Sequence, residues 1–597
     1  MRYLNWKRWF KMKELSRVLH IDLTRRSFHV EDRPDLFENY IGGVGVAINL
    51  LLEECPKNAN PLGPENPIVF AVGPLTGVFP LASKTVAMFK SPLTGNLGES
   101  HAGGRSAIAI RMAGYGAIVI KGSSETPIYL AVHDGKVYFR DASGIWGMRS
   151  SYTVGRIIRE LEPGAGFRTI MRIGRAGEKL VSYACVITET YRHFGRLGLG
   201  AVFGSKKLKA IVISGRCSIK IPDSKAYREV YDKIFNSAVK LPIMKKYHDL
   251  GTAYNVTPLN ELKALPSLNL KQASLKESVN ISGEMLAENY LGRRVACVHC
   301  PVACIHLASL REPYEREPYF YKTTMVSYDY EPLYALGSML GVTDTKGWLK
   351  LMDEVEVQGL DAISVGVVLA WATEAYEKGL ITDKETMNIR LKWGDYNTYI
   401  EAIRKIVAQP NEFYTSLARG VEYAASRYGG LDFALSFGGN EMPGYHTGLA
   451  TYVTYLTGSR HSHLDSAGYS LDEKNVKAGM RQTPDEIAEA LFKEEVWRQV
   501  LSSLVVCFFA RGIYTPSTVI ESLKTAGFDL GFKLTEENLN KVGIEILKKK
   551  YLFKVREGFN YKSLRIPKRI LEISTPLGML DEMEIREAVN IFFKFLT

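Results

Sequence analysis

Thiols are few in this chain, and glutamines are fewer. Seven cysteines in 597 residues cannot staple a disulfide framework, which excludes the small secreted class and suggests a reducing, cytoplasmic compartment. Five glutamines beside 32 tyrosines fit the composition of heat-adapted proteins. No apolar run approaches the ~20 residues that cross a bilayer, so no membrane association is expected. The run 500–510 stops at Arg511 and reads as a buried element. The start, MRYLNWKRWFKMKE, has no apolar h-region and is no secretory signal; Met12 offers a second start. Long blocks of one charge are absent as well. The net charge is +12 and the isoelectric point near 9.0, yet lysines and arginines are scattered among acids, with no basic tail. That argues against a nucleic-acid partner and suits an acidic electron carrier.

At 46% hydrophobic and 23% charged, the composition is that of an ordinary globular protein, and the length exceeds one core. Residues 15–220 are glycine-rich. Short apolar runs of strand length recur there at 18–23, 68–72, 85–89, 117–120, 128–132 and 210–214. A helix is predicted over 36–54, entered through Tyr40-Ile41-Gly42-Gly43-Val44-Gly45. After about residue 220 the apolar spacing changes to three and four. It predicts helices over 224–240, 345–358, 362–378 and 399–408, then 484–504 and 535–549. With no repeat and no low-complexity linker, three closely packed parts are expected: 1–220 rich in strands, 221–430 mainly helical, and 431–597 mixed helix and loop.

The densest chemistry is Cys297-Val298-His299-Cys300-Pro301-Val302-Ala303-Cys304. Thiols spaced C-x2-C-x3-C can converge on one metal or on one face of an iron–sulfur cube. A cube needs a fourth ligand, and the only later cysteine, Cys507, is assigned that place. A three-cysteine zinc knuckle, or three buried thiols that are merely neighbours, fits the same spacing. The radical-SAM order, C-x3-C-x2-C, is the reverse. Glycine-rich stretches add a second theme: 195–207 (GRLGLGAVFGSKK), 91–96 (SPLTGN) and 100–105 (SHAGGR). Close glycines let backbone N–H groups and nearby cations approach an anion such as a phosphorylated cofactor. The Walker A spacing is absent, and so is the acid of a dinucleotide fingerprint. A tight turn without a ligand is the plain alternative for each.

Taken in order, these segments resemble the aldehyde ferredoxin oxidoreductase family of tungsten-pterin enzymes. The likeness runs from about Val18 to at least Tyr514. It is carried by Tyr40-Ile41-Gly42-Gly43, Gly73-Pro74-Leu75-Thr76-Gly77, Lys90-Ser91-Pro92-Leu93-Thr94-Gly95 and Ala113-Gly114-Tyr115. It continues through 195–210, Gly251-Thr252-Ala253, Leu265-Pro266, the cysteine triplet, Asp329-Tyr330-Glu331 and Gly359-Leu360-Asp361-Ala362-Ile363-Ser364. The resemblance implies an α+β fold: a β-rich N-terminal pterin-binding base domain with two mainly helical domains packed over it. It implies a tungsten (or molybdenum) bis-molybdopterin held by pterin sulfurs without a side-chain ligand. It also implies one [4Fe–4S] cluster on Cys297, Cys300, Cys304 and Cys507, and a Mg ion bridging the pterin phosphates. The implied activity is oxidation of an aldehyde substrate to a carboxylic acid, with electrons leaving to ferredoxin or a polyferredoxin subunit. Family members are often dimeric, so a homodimer is among the expectations.

Site residues are carried over position by position. Lys84 stands where the family has the arginine linking pterin and cluster; lysine keeps the charge but loses the planar fork. His101 replaces the asparagine of the N-x-G-G turn that continues to Gly103, and Tyr183 and Ala184 match the segment giving the other Mg contact. The pterin motifs D-x-x-G-L-D and D-x-x-G-L-C become Glu356-Val357-Gln358-Gly359-Leu360-Asp361 and Ser502-Ser503-Leu504-Val505-Val506-Cys507. Glu356, Asp361, Asp465 and Val506 are the implied pterin contacts. Glu331 matches the active-site glutamate and His463 the active-site histidine, with His461 and His446 as alternatives. A carboxyl of raised pKa can take a proton from water or a hydrated aldehyde, and an imidazole can polarise the carbonyl. Glu441-Met442-Pro443-Gly444-Tyr445-His446-Thr447-Gly448 departs from the usual E-x-P-A-Y-D-P-R-G, which implies a different aldehyde preference. Two other functions share these features. Related tungsten enzymes that reduce aromatic acyl-CoA thioesters use a cysteine at the metal, but Cys55, Cys185 and Cys217 lie in no matching motif. A non-catalytic iron–sulfur subunit would need neither Glu331 nor His463.

Overall fold

A computed structural model describes residues 15–596 except 163, 165, 315, 316 and 529. The basic, aromatic start through Glu14, with the alternative Met12, lies outside the described residues. The N-terminal part holds two six-stranded sheets. The first comprises β1 (Arg17–Asp22), β2 (Ser27–Asp32), β3 (Ile68–Ala71), β4 (Thr85–Lys90), β5 (Leu97–Ala102) and β6 (Ala117–Lys121), in the order β2-β1-β6-β3-β4-β5. The second comprises β7 (Ile128–His133), β8 (Lys136–Asp141), β9 (Phe167–Arg172), β10 (Val186–Ile187), β11 (His193–Phe194) and β12 (Leu208–Gly215), in the order β11-β10-β9-β12-β7-β8. Among the described residues only β1 with β6 and β7 with β12 pair in parallel. Strands β3 and β4 are buried on both faces, so they read as unbroken apolar runs rather than alternating ones. All six predicted strands are present.

The helix predicted over 36–54 is two helices, Pro34–Tyr40 and Gly43–Glu54. The chain breaks where Ile41 takes φ 70° and Gly43 φ 39°. A Cβ on Gly43 would stand 2.2 Å from the Ser502 carbonyl oxygen, and one on Gly73 2.7 Å from that of Ser503. These glycines let the turn after the Pro484–Ser503 helix press onto the N-terminal sheet, and that turn delivers Cys507.

The later helices follow the predicted periods as Ser224–Lys240, Thr345–Gln358, Ala362–Glu377, Tyr396–Ala408, Pro484–Ser503 and Glu536–Arg556. Local capping starts them: the Asp223 carboxylate accepts from the N–H groups of Lys225 and Ala226, and Thr483 with Glu486 forms a capping box. Residues 221–430 are not helical throughout, however. A three-stranded antiparallel sheet intervenes: β13 (Leu291–Val295), β14 (Ile305–Tyr314) and β15 (Glu317–Tyr328). Its aromatic and β-branched residues favour a pleated surface over a helix.

Two large cores result. One fills the N-terminal sheets and takes in Val500, Leu504, Ile546 and Phe553. The other joins the central helices to Leu491, Leu547 and Phe592. The last third of the chain therefore contributes to both cores. Among the described residues no helix is long and apolar enough to cross a membrane.

Candidate active site

The cysteine triplet occupies the loop between β13 and β14, and Glu331 follows the end of β15. Their antiparallel register sets His306 opposite Tyr328. The ladder thus brings Cys304, two residues before His306, and Glu331, three after Tyr328, to the same end of the sheet. Cys507 arrives from the N-terminal side. The Leu81 N–H donates to the His299 carbonyl at 3.2 Å, and the Leu81 carbonyl accepts from the Cys507 N–H at 2.8 Å. One residue of the N-terminal part therefore ties both cysteine segments together. Burial, and then Cys297, Cys304 and Cys507, pushes the Cys300 thiol up. Burial pushes Cys304 up to about 11 against the pull of Arg192.

Arg192 stands among these sulfurs. Its Nη2 is 3.9 Å from Cys304 Sγ and its Nη1 3.6 Å from Asp329 Oδ2. A Cβ on Gly103 would lie 2.8 Å from Cys297 Sγ and 3.7 Å from Lys84 Nζ, so only glycine allows the thiol this close. Among the described residues no three His, Cys, Asp or Glu side chains close to the spacing of a single metal ion. A cube takes one thiolate per iron and asks for a wider ring. Four thiols in mutual electrostatic reach, with cations beside them, fit that donor set.

Glu331 lies in the first turn of the Tyr330–Leu336 helix. Its Oε2 accepts from the Gly444 N–H at 3.1 Å, and its Oε1 is 3.4 Å from His463 Nε2. Burial outweighs the Gly444 bond and the field of Arg196, and pushes the carboxyl up to about 8. Burial, then Arg196, Arg460 and Arg498, holds His463 well below its ordinary value. At pH 7 the pair rests as a carboxylic acid beside a neutral imidazole. Glu331 Oε1, His463 Nδ1 and Arg196 Nη1 are all buried without a hydrogen-bond partner. Orphaned polar atoms of this kind mark where a ligand's own atoms complete the network.

The His463 turn is set by Asp465. Its Oδ2 accepts from the N–H groups of Arg460 and Ser462, each at 3.0 Å, and its Oδ1 from Arg460 Nε at 2.6 Å. His461 is engaged elsewhere, with Tyr455 O and Lys554 Nζ each at 2.9 Å. His446 bridges the Tyr452 hydroxyl and the Ile573 carbonyl. Of the three candidate histidines, His463 is the one brought to Glu331. Tyr445 packs on His463 with ring centroids 5.3 Å apart and stacks on Tyr469 at 4.2 Å. A Cβ on Gly444 would meet the Tyr334 ring at 2.6 Å, which accounts for glycine where the family pattern has alanine.

The remaining predicted residues separate into two groups. Asp361 reaches the site: its Oδ2 accepts from Arg196 Nε at 3.2 Å while its Oδ1 caps the next helix at Ile363. Lys84 is at the cysteines, with its backbone N–H on the Val505 carbonyl at 3.2 Å. Val506 is buried one residue before Cys507. Glu356 is engaged within the protein by Tyr152, Ser327 and His193; despite burial, these partners hold it down to about 2. His101 pairs with Glu99 at 2.8 Å, and burial lowers it to about 4. The carbonyls of Tyr183 and Ala184 accept from the N–H groups of Asp361 and Gly200, so they serve the junction between sheet and helix.

The 195–207 stretch is also a packing element. Its glycines permit close packing: a Cβ on Gly204 would stand 1.9 Å from the Gly177 carbonyl oxygen. Lys206 turns inward to the carbonyls of Pro64 and Gly122, each at 3.1 Å, and burial lowers it to about 7. Besides Lys84, Arg192 and Arg196 bring cations to the site, and neither was given a role by the resemblance. Two arginines flanking the first glycine were the available signal. Of the spare cysteines, Cys55 and Cys185 are buried and Cys217 is exposed; the Cys185 thiol lies against the Leu360 carbonyl.

Comparison with known proteins shows the family. The model of the aldehyde ferredoxin oxidoreductase N-terminal domain matches residues 18–215, and that of domains 2 and 3 matches 226–596. The chain belongs to the aldehyde ferredoxin oxidoreductase family. A tungsten-containing aldehyde ferredoxin oxidoreductase of Thermococcus kodakarensis is 32% identical over 577 residues, 94% of this chain and 92% of the relative. An aliphatic sulfonate oxidoreductase, WOR-like subunit, of Pyrococcus furiosus is 27% identical over 89% of this chain and 84% of the relative. The solved active site complex of benzoyl coenzyme A reductase with 1,5-dienoyl-CoA has a TM-score of 0.81 at 21% identity. That match covers 98% of this chain and 94% of the other, and shows a shared fold. The chain is thus an oxidoreductase-family protein whose relatives act on more than one kind of substrate.

Proposed function

We propose that the protein oxidises an aldehyde to a carboxylic acid, with water as the oxygen source, and passes the electrons through a [4Fe–4S] cluster to ferredoxin in a reducing cytoplasm. One juxtaposition carries this reading. The Glu331–His463 pair, 3.4 Å apart, stands at the end of the strand ladder that also carries Cys304. When bound, a tungsten (or molybdenum) bis-molybdopterin supplies a two-electron acceptor, and a cube on Cys297, Cys300, Cys304 and Cys507 supplies one-electron transfer. Lys84, Gly103, Glu356, Asp361, Asp465 and Val506 would hold the pterins, and His101, Tyr183 and Ala184 would hold the accompanying Mg ion.

The side chains do the rest. A carboxyl titrating at about 8 sits close to the operating pH, where a general base is most effective. In its ionised form, Glu331 Oε1 takes a proton from water or from the hydrated aldehyde. His463, held neutral, offers an N–H to the developing oxygen, and Arg196 Nη1 offers a second donor. The rings of Tyr445 and Tyr469 give the substrate an apolar wall and exclude bulk water. The test is anaerobic purification with elemental analysis, then an aldehyde panel with a viologen dye. Tungsten or molybdenum, about four irons per chain and dye reduction by an aldehyde are expected. A metal-loaded protein inert to every aldehyde would overturn the reading.

A further inference from the structure

Exposed apolar residues gather on the Ser224–Lys240 and Pro242–Asp249 helices. Phe235 and Val239 are one helical turn apart, and Leu241 and Ile243 follow at the junction, with exposures of 38, 51, 39 and 45%. They are not a core face, because Val230, Ile234, Ala238 and Met244 already point inward. The two helices are basic: residues 224–249 carry six lysines and arginines against three acids, with Lys233 paired to Glu521 and Lys245 to Asp249.

The second of these helices, Pro242–Asp249, lies against both cysteine segments. His248 Nδ1 donates to the Val302 carbonyl at 2.9 Å, midway between Cys300 and Cys304. Tyr247 stacks on Phe509 with centroids 4.1 Å apart, two residues beyond Cys507. The Pro242–Asp249 helix thus turns Tyr247 and His248 to the cysteines while Ile243 and Lys245 face solvent.

We propose that this patch is the docking site of an acidic iron–sulfur electron carrier that draws electrons from the cysteine-held cluster. An apolar centre inside a charged rim is the anatomy of a transient protein interface, and a basic rim steers an acidic partner. The inference rests on the electron-transfer reading above and adds the place of exit.

The experiment uses the metal-loaded full chain and an acidic [4Fe–4S] ferredoxin. Binding is read by biolayer interferometry across ionic strength, and turnover with both ferredoxin and viologen. In the Val239→Glu/Ile243→Glu variant, and separately in Lys240→Glu, the Kd and KM for ferredoxin should rise at least about tenfold while viologen-linked turnover stays within about twofold. Wild-type binding should weaken with salt. Unchanged ferredoxin affinity in both variants overturns the docking site, as does a wild type that binds no ferredoxin. Wild-type binding that the variants lose, without aldehyde oxidation by either acceptor, sinks the aldehyde reading and leaves the docking site standing. Sedimentation showing dimers that the variants break, with ferredoxin binding intact, assigns the patch to a second copy and overturns the proposal.

Discussion

Replacing Glu331 with glutamine isolates the proton that the site holds. Glutamine keeps the shape, and its carbonyl oxygen can still accept from the Gly444 N–H. The unfolded chain releases this proton near 4.5, whereas the folded chain holds it to about 8. Between those values the folded state binds one more proton than the unfolded state. Native stability therefore falls as pH rises, by up to about 1.4 kcal/mol per unit, and stops falling above about 8. At pH 7 the carboxyl costs the fold about 3 kcal/mol, from the interval between 4.5 and 7. With the Glu331 side chain only 16% exposed, solvent screens little of this. Glu331→Gln should match wild type near pH 4, exceed it by about 3 kcal/mol at pH 7, and vary less with pH. Denaturant midpoints across this range measure the difference. Infrared pH-difference spectra follow the protonated carboxyl, whose band should titrate near 8 and vanish in the variant. The variant should keep metal and iron but lose aldehyde oxidation. Parallel stability curves, or a carboxyl titrating near 4.5, would refute the burial argument. Wild-type turnover would refute the base assignment.

Other outcomes follow from the same geometry. Cys507→Ser should lower iron content and visible absorbance; unchanged iron would place the fourth ligand elsewhere. Asp465→Ala removes the principal partner of the buried Arg460 and should cost about 3–5 kcal/mol in thermal or denaturant unfolding. Asp432→Ala breaks an exposed pair with Lys568, whose side chains are 64% and 69% exposed, and should cost less than about 1 kcal/mol; equal losses would show that the 460–465 turn is not held as described. His461→Asn should lose stability while its aldehyde turnover persists. His463→Asn should lose turnover with little change in melting temperature, and the reverse pattern would exchange the roles of the two histidines.

Much of this protein could be read locally. Strand runs such as 68–72 and helices such as 345–358 follow from apolar spacing and capping, which act over one or two turns. The cysteine spacing, the Asp329-Tyr330-Glu331 segment and the glycine-rich segments carried the family resemblance because many short motifs in one order are far more specific than any one of them. What escaped the local reading was set by distant backbone. The break at Ile41 exists because Ser502 presses against Gly43. The fate of Lys206 was decided by the carbonyls of Pro64 and Gly122. Arg192 and Arg196 became site residues only when the hairpin at β10 and β11 was docked.

Residue order and local pattern specified which groups the chain could bring to the site and which elements would carry them. Tertiary structure decided which histidine meets the carboxyl, where the fourth thiol lands, and what proton affinity Glu331 acquires. That affinity comes chiefly from desolvation, and water is excluded from Glu331 by segments such as Gly444, 113 positions away. No local pattern of residues encodes a dielectric environment that only the packed chain creates.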